Sequence, residues 1–505
     1  MIPTYPMPEP VTVWTRFFEL NQVPRPSKAE HAAIEFIKLW ARAAGFESRG
    51  DTTGNLVVHV PATVAPSTAP IVILQCHVDL VSVTADGDAH GADAARGRIP
   101  TVRGDLNPAD EKRLLSNDAG DWINAPFTTL GADNGIGVAM MMALAESNYR
   151  PVPMQLLFTI DEEAGMTGAF GLDPMALGLT GKTLINIDTE DDDEITIGAA
   201  GGRDVEIQWS SPVESTATGS CYSIEVKGLK GGHSGIEINQ GRANAIRIVS
   251  RALQKLADTV DVRLMTLNGG SRRNAIPDFC MATVVFESAK LPAAEAILQT
   301  CCEQWNQLYA GRDNPIAIEL KSSSDPIPAS LLSVASTRSL IQLLTGIPTG
   351  ICEMTSDIPT LVESSCNLAI AELDATGSAK IICSVRGTTG FAAEDICDTI
   401  RSIVGLSGGT VEIAEGYPGW KPRLDSPILK IAIDQYKELF GTQPKVHAVH
   451  AGLECGLLIE KLPGLDTISI GPTIKGNHAV GERVQISSVQ KSYRYLVAIL
   501  EHLKR

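Results

Sequence analysis

The sequence predicts an α/β protein with helices flanking a mixed sheet, and an α+β domain inserted into it. Three observations carry this. At 505 residues the chain exceeds what one hydrophobic core usually serves. Short apolar runs alternate with helical periodicity up to about residue 203, and the pattern resumes after 417. Between those points a strand–helix–strand–strand–helix order occurs twice. The expected domains are therefore 1–203 and 417–505 for the first, and 204–416 for the insert, with repeats at about 204–312 and 313–416.

Residues 12–46 read as two helices split by Val23-Pro24-Arg25-Pro26-Ser27; Ile34, Ile37 and Trp40-Ala41 recur at helical spacing and Gly45 stops the second. Asn55–Val60 reads as a strand, and Ile71–Gln75 is a continuous apolar run of the kind buried on both faces. Helix Gly135–Ser147, strand Gln155–Ile160, a short helix near Gly168–Leu172 and strand Thr183–Ile187 follow. From residue 85 to 126 the chain is rich in Gly, Asp and Ala without periodicity, a surface excursion. In the insert, the first repeat is strand Tyr222–Lys227, helix Gly241–Leu256, strands Val262–Leu267 and Phe279–Phe286, and helix Pro292–Tyr309. The second is strand Ile316–Leu320, helix Ala329–Leu344, strands Asn367–Leu373 and Lys380–Val385, and helix Ala392–Val404. Helices Pro427–Phe440 and Val489–Lys504 complete the first domain.

Composition narrows the function. A hydrophobic content of 44% with 20% charged residues reads as globular. The net charge of −17 argues against a nucleic-acid partner, which needs a basic face. Ten scattered cysteines without a Cys-x-x-Cys suit a reducing cytoplasm, and neither a leader pattern nor an 18-residue apolar run is present.

Five segments carry polar residues where apolar runs end: His77-Val78-Asp79, Gly131-Ala132-Asp133-Asn134-Gly135, Asp161-Glu162-Glu163-Ala164-Gly165, Asn186-Ile187-Asp188-Thr189-Glu190 and Gly476-Asn477-His478-Ala479. Each alone is weak: Asp161-Glu162-Glu163 reads equally as a solvated helix start, and Glu190–Glu194 as a solvated acidic run. Gathered at the strand ends of one sheet, two histidines and several carboxylates suit a pair of divalent cations. Two ions that close need a shared carboxylate, and Asp133 is the candidate because its flanking glycines let the backbone approach closely. Asp79, two residues beyond His77 on the same strand face, can accept the ring N–H of His77.

The ordered set resembles the dinuclear zinc peptidases of the aminoacylase, carboxypeptidase and dipeptidase clan. Thr129–Gly135, His450-Ala451-Gly452-Leu453-Glu454-Cys455-Gly456 and Tyr417-Pro418-Gly419-Trp420 resemble its bacterial aminoacyl-histidine dipeptidase branch. The resemblance implies a metallopeptidase domain with a lid, and two divalent ions, zinc first, with manganese or cobalt as alternatives. It assigns His77 and Asp188 to one ion, Glu163 and His478 to the other, and makes Glu162 the general base. It also implies a cis bond between Asp133 and Asn134. In the lid it gives His233, in Gly231-Gly232-His233-Ser234-Gly235, the role of oxyanion partner, and makes Asn274 and Gly452 substrate contacts. Arg386 ends a strand of the second repeat, and its guanidinium fork suits a free substrate carboxylate. His450 is either a neighbour of that pocket or structural.

These readings favour a dipeptidase for Xaa-His and other small unblocked dipeptides, acting in the cytoplasm as a monomer or homodimer with each site complete in one chain. An N-acyl amino acid amidohydrolase or a tripeptidase would use the same metals. A non-catalytic binding protein would have lost the base or a ligand, and here none is lost.

Overall fold

The computed structural model describes residues 7–64, 69–83, 121–125, 128–215, 219–356 and 358–504. Most of the 85–126 excursion lies outside them, its described part including the strand Trp122–Asn124. Along the chain run α1 (Val11–Leu20), α2 (His31–Ala43), β1 (Glu47–Gly50), β2 (Leu56–Val60), β3 (Val72–His77), α3 (Ala132–Glu146), β4 (Met154–Thr159), β5 (Thr183–Asn186) and β6 (Glu194–Ala199). Then come β7 (Gly201–Ser210), β8 (Ser220–Lys227), α4 (Ala245–Ala257), β9 (Arg263–Gly269), β10 (Cys280–Phe286), α5 (Leu291–Leu308) and β11 (Ala317–Ser322). The second half of the insert has α6 (Val334–Gly346), β12 (Val362–Leu373), β13 (Ser378–Gly387), α7 (Gly390–Ser407) and β14 (Thr410–Ile413). The chain ends with α8 (Pro427–Phe440), β15 (Lys445–Val449), α9 (Glu454–Lys461), β16 (Asp466–Ser469) and α10 (Ile486–Leu503).

Two compact units result. The first comprises Met1–Gly198, Pro422–Ala448 and Glu454–Arg505; the second comprises Ala199–Lys421 and Val449–Leu453. The expected boundaries at 203 and 417 fall near these, but Val449–Leu453 goes to the second unit. Its bonds explain why: Val449 O accepts from Ala200 N, and His450 Nε2 lies 2.7 Å from Ser365 Oγ.

In the first unit an eight-stranded sheet runs β1-β2-β4-β3-β5-β16-β6-β15. The strands β4, β3, β5 and β16 are mutually parallel, while β1, β2 and β6 join antiparallel, so the sheet is mixed. β3 and β4 are buried at every position, as strands covered on both faces must be. Helix α3 is buried from Ala132 to Ala145 and shows no amphipathic stripe, because it is surrounded by the core.

The second unit is built on one sheet in the order β11-β8-β10-β9-β12-β13-β7-β14, with Gly350–Met354 pairing β12 beside that path. Two halves, β11-β8-β10-β9 and β14-β7-β13-β12, meet where β9 pairs antiparallel with β12 at Leu267↔Leu373 and Gly269↔Ala371. This departs from the expected split at 312/313. Strand β11, expected to open the second repeat, pairs with β8 in the first half. The second half instead takes its opening strand, β7, from before the first half, where β7 pairs with β13 and β14. The period-2 signal of β7 is present, since Val205, Ile207 and Trp209 alternate inward, but it sits at the domain seam, ahead of Tyr222–Lys227, where no strand was expected. The four main helices are α4 and α5 in the first half and α6 and α7 in the second. Side chains of Asn244, Ser333 and Thr389 cap α4, α6 and α7 by accepting from backbone N–H groups of the first turn. No helix among the described residues is long and apolar enough to cross a membrane.

Candidate dinuclear metal centre

Parallel strands finish on the same edge of a sheet, so β3, β4 and β5 deliver their C-terminal residues to one place. His77 is the last residue of β3, Glu162 and Glu163 follow β4 across a tight turn, and Asp188 stands two residues past β5. Asp133 opens α3, and its peptide bond to Asn134 is cis. His478 comes from the loop between the strands Ile474–Lys475 and Arg483–Gln485, the latter pairing with Trp122–Asn124.

The side chains of His77, Asp133, Glu163, Asp188 and His478 converge. Asp133 Oδ1 lies 3.1 Å from His77 Nε2 and Asp133 Oδ2 lies 3.1 Å from His478 Nε2. One carboxylate therefore spans the two imidazoles. On the His77 side, Asp188 Oδ1 is 3.5 Å from Nε2; on the His478 side, Glu163 Oε1 is 2.8 Å from Nε2. The second pair is misaligned for a hydrogen bond, so Glu163 Oε1 is buried without a donor. A buried anionic oxygen that close to an imidazole nitrogen, with no proton aligned between them, has the arrangement of two ligands sharing a cation.

Electrostatics give the same account. Burial raises the Glu162 carboxyl well above the usual range; the His77 charge opposes this, and Asp188, Glu163 and Glu454 push it further up. Burial and the charges of Asp133 and Asp188 lift Glu190 to about 8. Burial opposes protonation of His478, yet Asp133 and Glu163 raise it to about 11. A cluster of anions so short of positive charge fits two divalent cations between the His77–Asp188 and Glu163–His478 pairs.

The support around the centre includes residues the sequence reading passed over. Asp79 Oδ1 lies 3.2 Å from His77 Nδ1 and also accepts from Glu162 N, while Oδ2 accepts from Ser27 Oγ and Glu163 N. Asp79 thereby orients a histidine and holds the turn carrying both glutamates. Arg25, fully buried, donates to Val78 O, Asp79 O, Asn21 Oδ1 and Gly131 O. Its presence gives the glycines a further reason: a Cβ at Gly131 or Gly135 would run into the Arg25 guanidinium, so these residues make room for arginine. Glu482 accepts from the N–H groups of Leu130, Gly131, Ala132 and Asp133, at 2.7, 2.9, 2.8 and 3.2 Å. The acidic run expected to be solvated starts differently too, for Glu190 accepts from Asn477 Nδ2 at 2.8 Å and ties down the residue next to His478. Glu454 accepts from Gln75 Nε2 and Thr159 Oγ1, and burial lifts it to about 7.

Glu482→Ala would leave four buried donors without an acceptor, so a stability loss of at least about 3 kcal/mol is expected in denaturant unfolding. A loss under about 1 kcal/mol would mean the Leu130–Asp133 turn holds itself.

The remaining candidates, His233, Asn274, Arg386 and Gly452, all lie in the second unit. Arg386 lies at the end of β13 and His233 in the short strand Gly232–His233, which pairs with Ala275–Ile276 outside the large sheet. Both border Gly235, where a Cβ would meet His233 Cε1 at 3.0 Å, Arg386 Cζ at 3.2 Å and the His450 carbonyl at 2.5 Å. Arg386 is 8% exposed and donates to Tyr417 Oη at 2.9 Å; a Cβ on Gly452 would press on that same Tyr417 ring. His450 is buried, and burial followed by the Arg386 charge lowers it to about 4, leaving a neutral ring against Ser365. Asn274 gives its carbonyl to Ser234 N at 2.8 Å, pinning the loop beside His233.

Comparison with known proteins points to one family. Residues 224–312 match a peptidase dimerisation domain. The chain is 33% identical over 496 residues to the cytosol non-specific dipeptidase of Escherichia coli, covering 98% of each. Among solved structures it superposes on the aminoacylhistidine dipeptidase of Vibrio alginolyticus with a TM-score of 0.84 and 33% identity, covering 98% of this chain and 97% of that one. A Staphylococcus aureus tripeptidase, 15% identical, shares the fold at a TM-score of 0.53 over 99% of this chain and 100% of that one. Likeness of that extent to two dipeptidases, end to end, means that the chain belongs to the M20 family of metallopeptidases, in its aminoacylhistidine dipeptidase branch.

Proposed function

We propose that this enzyme hydrolyses small unblocked dipeptides, Xaa-His among them, with Glu162 as general base. The observation that carries this is Asp133, one carboxylate facing two histidines that arrive from distant segments of the chain. Its relatives' names, a non-specific dipeptidase and an aminoacylhistidine dipeptidase, support the substrate class. The first of these names also supports the cytosol as its compartment.

His77, Asp188 and Asp133 would hold one cation and Glu163, His478 and Asp133 the other; zinc is proposed, with manganese or cobalt as substitutes. When bound, such a pair supplies an activated water and positive charge opposite a developing oxyanion. Glu162 takes the proton of the attacking water and passes it to the leaving amine nitrogen. Asp79 keeps the His77 tautomer with its proton on Nδ1 and the lone pair of Nε2 free to ligate. His233 steadies the oxyanion as it forms. Arg386 receives the free C-terminal carboxylate, with Asn274 and Gly452 shaping the pocket.

Arg386→Ala is expected to raise KM by at least about tenfold for free dipeptides and far less for their C-terminal amides, since only the former offer a carboxylate. Equal losses on both would remove Arg386 from that role. A panel of dipeptides, tripeptides and N-acyl amino acids tests the substrate class, with dipeptides expected to be turned over best. Preference for N-acyl amino acids would move the chain to the amidohydrolase reading.

One chain supplies both halves of the second unit's sheet, and His233 follows β8 of one half in the short strand Gly232–His233, which supports a site complete within a single polypeptide. Mixing and reassociating inactive His233→Ala and Glu162→Gln chains is therefore expected to restore no activity. Recovered turnover would assign the histidine to a partner subunit.

A further inference from the structure

The second unit also contains a cavity of about 300 Å³ lined by none of the residues proposed for the peptidase reaction. Arg242, Arg247 and Arg312 line it together with Asn244, Tyr309 and Ile276, and none of the described residues lining it is acidic. In a chain of net charge −17, three arginines lining one hollow need an explanation. Arg242 is already neutralised by Glu237 at 2.7 Å. Arg247 and Arg312 have no ion-pair partner among the described residues. The acid next to Arg312 in sequence, Asp313, is occupied by the backbone N–H groups of Lys230, Asn314 and Ala243.

Placement sharpens the point. Arg247 sits in the first turn of α4, where the helix dipole disfavours a cation and favours an anion. Two positive side chains and a helix start facing one cavity repel one another unless a negative ligand joins them. Arg312 lies over the Tyr309 ring, 5.0 Å from its centroid, and Ile238 and Ile276 give the hollow an apolar wall. Charge on one side and an aromatic and aliphatic surface on the other suit an anion that carries a small organic body. The cavity also backs onto the loop of His233: Arg242 Nη1 donates to Gly231 O, and its partner Glu237 accepts from His233 N at 2.8 Å.

We propose that this cavity, distinct from the metal centre's own ligands, binds a phosphate group, either as the free ion or as a small monoester, through Arg247 and Arg312. The test is isothermal titration calorimetry of the metal-loaded enzyme with inorganic phosphate and with phenyl phosphate. Saturable binding is expected, weakened at least about tenfold in Arg247→Ala/Arg312→Ala while dipeptide turnover stays at the parent level. Tighter binding of phenyl phosphate would assign the site to an ester, and equal binding to the free ion. Arg247→Gln and Arg312→Gln repeat the test with side-chain bulk retained, should the double alanine variant fold poorly. Absence of saturable binding overturns the proposal, as does binding unchanged in these variants, which would place the phosphate on the metals.

Discussion

Glu162→Gln is expected to lower kcat on a dipeptide by about 10²–10⁴-fold while both metal ions stay bound. The amide keeps the shape of the side chain but cannot take a proton from water. Glu162 stands where burial disfavours its charge, beside Asp188, Glu163 and Glu454, so removing that charge relieves repulsion and does not strip a ligand. Its neighbour should behave in the opposite way. Glu163 Oε1 is buried 2.8 Å from His478 Nε2, and with the proposed role as a ligand Glu163→Gln should lose metal before it loses chemistry. Elemental analysis of the two purified variants, set against their kcat values, separates the roles. Metal loss in the Glu162 variant with full occupancy in the Glu163 variant would exchange them.

Asp133→Ala should abolish turnover and reduce the content of both ions together. The two oxygens of Asp133 face different histidines, so its removal leaves the Nε2 of each imidazole with a single carboxylate neighbour. The turn should survive, because Glu482 holds it through the backbone N–H groups of residues 130–133, which the substitution retains. A melting temperature close to the parent's, combined with metal loss at both positions, is the expected pattern. Retention of one ion at parental affinity would show that Asp133 serves a single site.

How much of this was legible in the sequence depends on whether a residue acts through spacing or through distant packing. His77 and Asp79 announce themselves by lying two apart at the end of an apolar strand, a spacing that puts both on one face. Glu162 and Glu163 follow the next parallel strand, and the shared edge of a parallel sheet does the rest. Arg25 and Glu482 carry no such signal. Each works by filling a space lined with backbone groups from far along the chain, with Glu482 about 350 residues from the turn it holds. Glu190 looked like one of several solvated acids because its partner, Asn477, is equally remote. The order of the inserted domain was readable as two similar halves, since each has its own helix and strand periodicity. Its seam was not, because β7 belongs by pairing to a half whose other elements begin more than a hundred residues later.

The central claim, a hydrolytic centre built by two cations sharing Asp133, is tested most directly by titrating zinc into the metal-stripped enzyme. Dipeptide hydrolysis is followed as occupancy rises. Activity is expected to be absent in the stripped protein and to saturate only when the second equivalent has bound. Full activity at a single equivalent, or turnover by a verified metal-free preparation, would contradict the account.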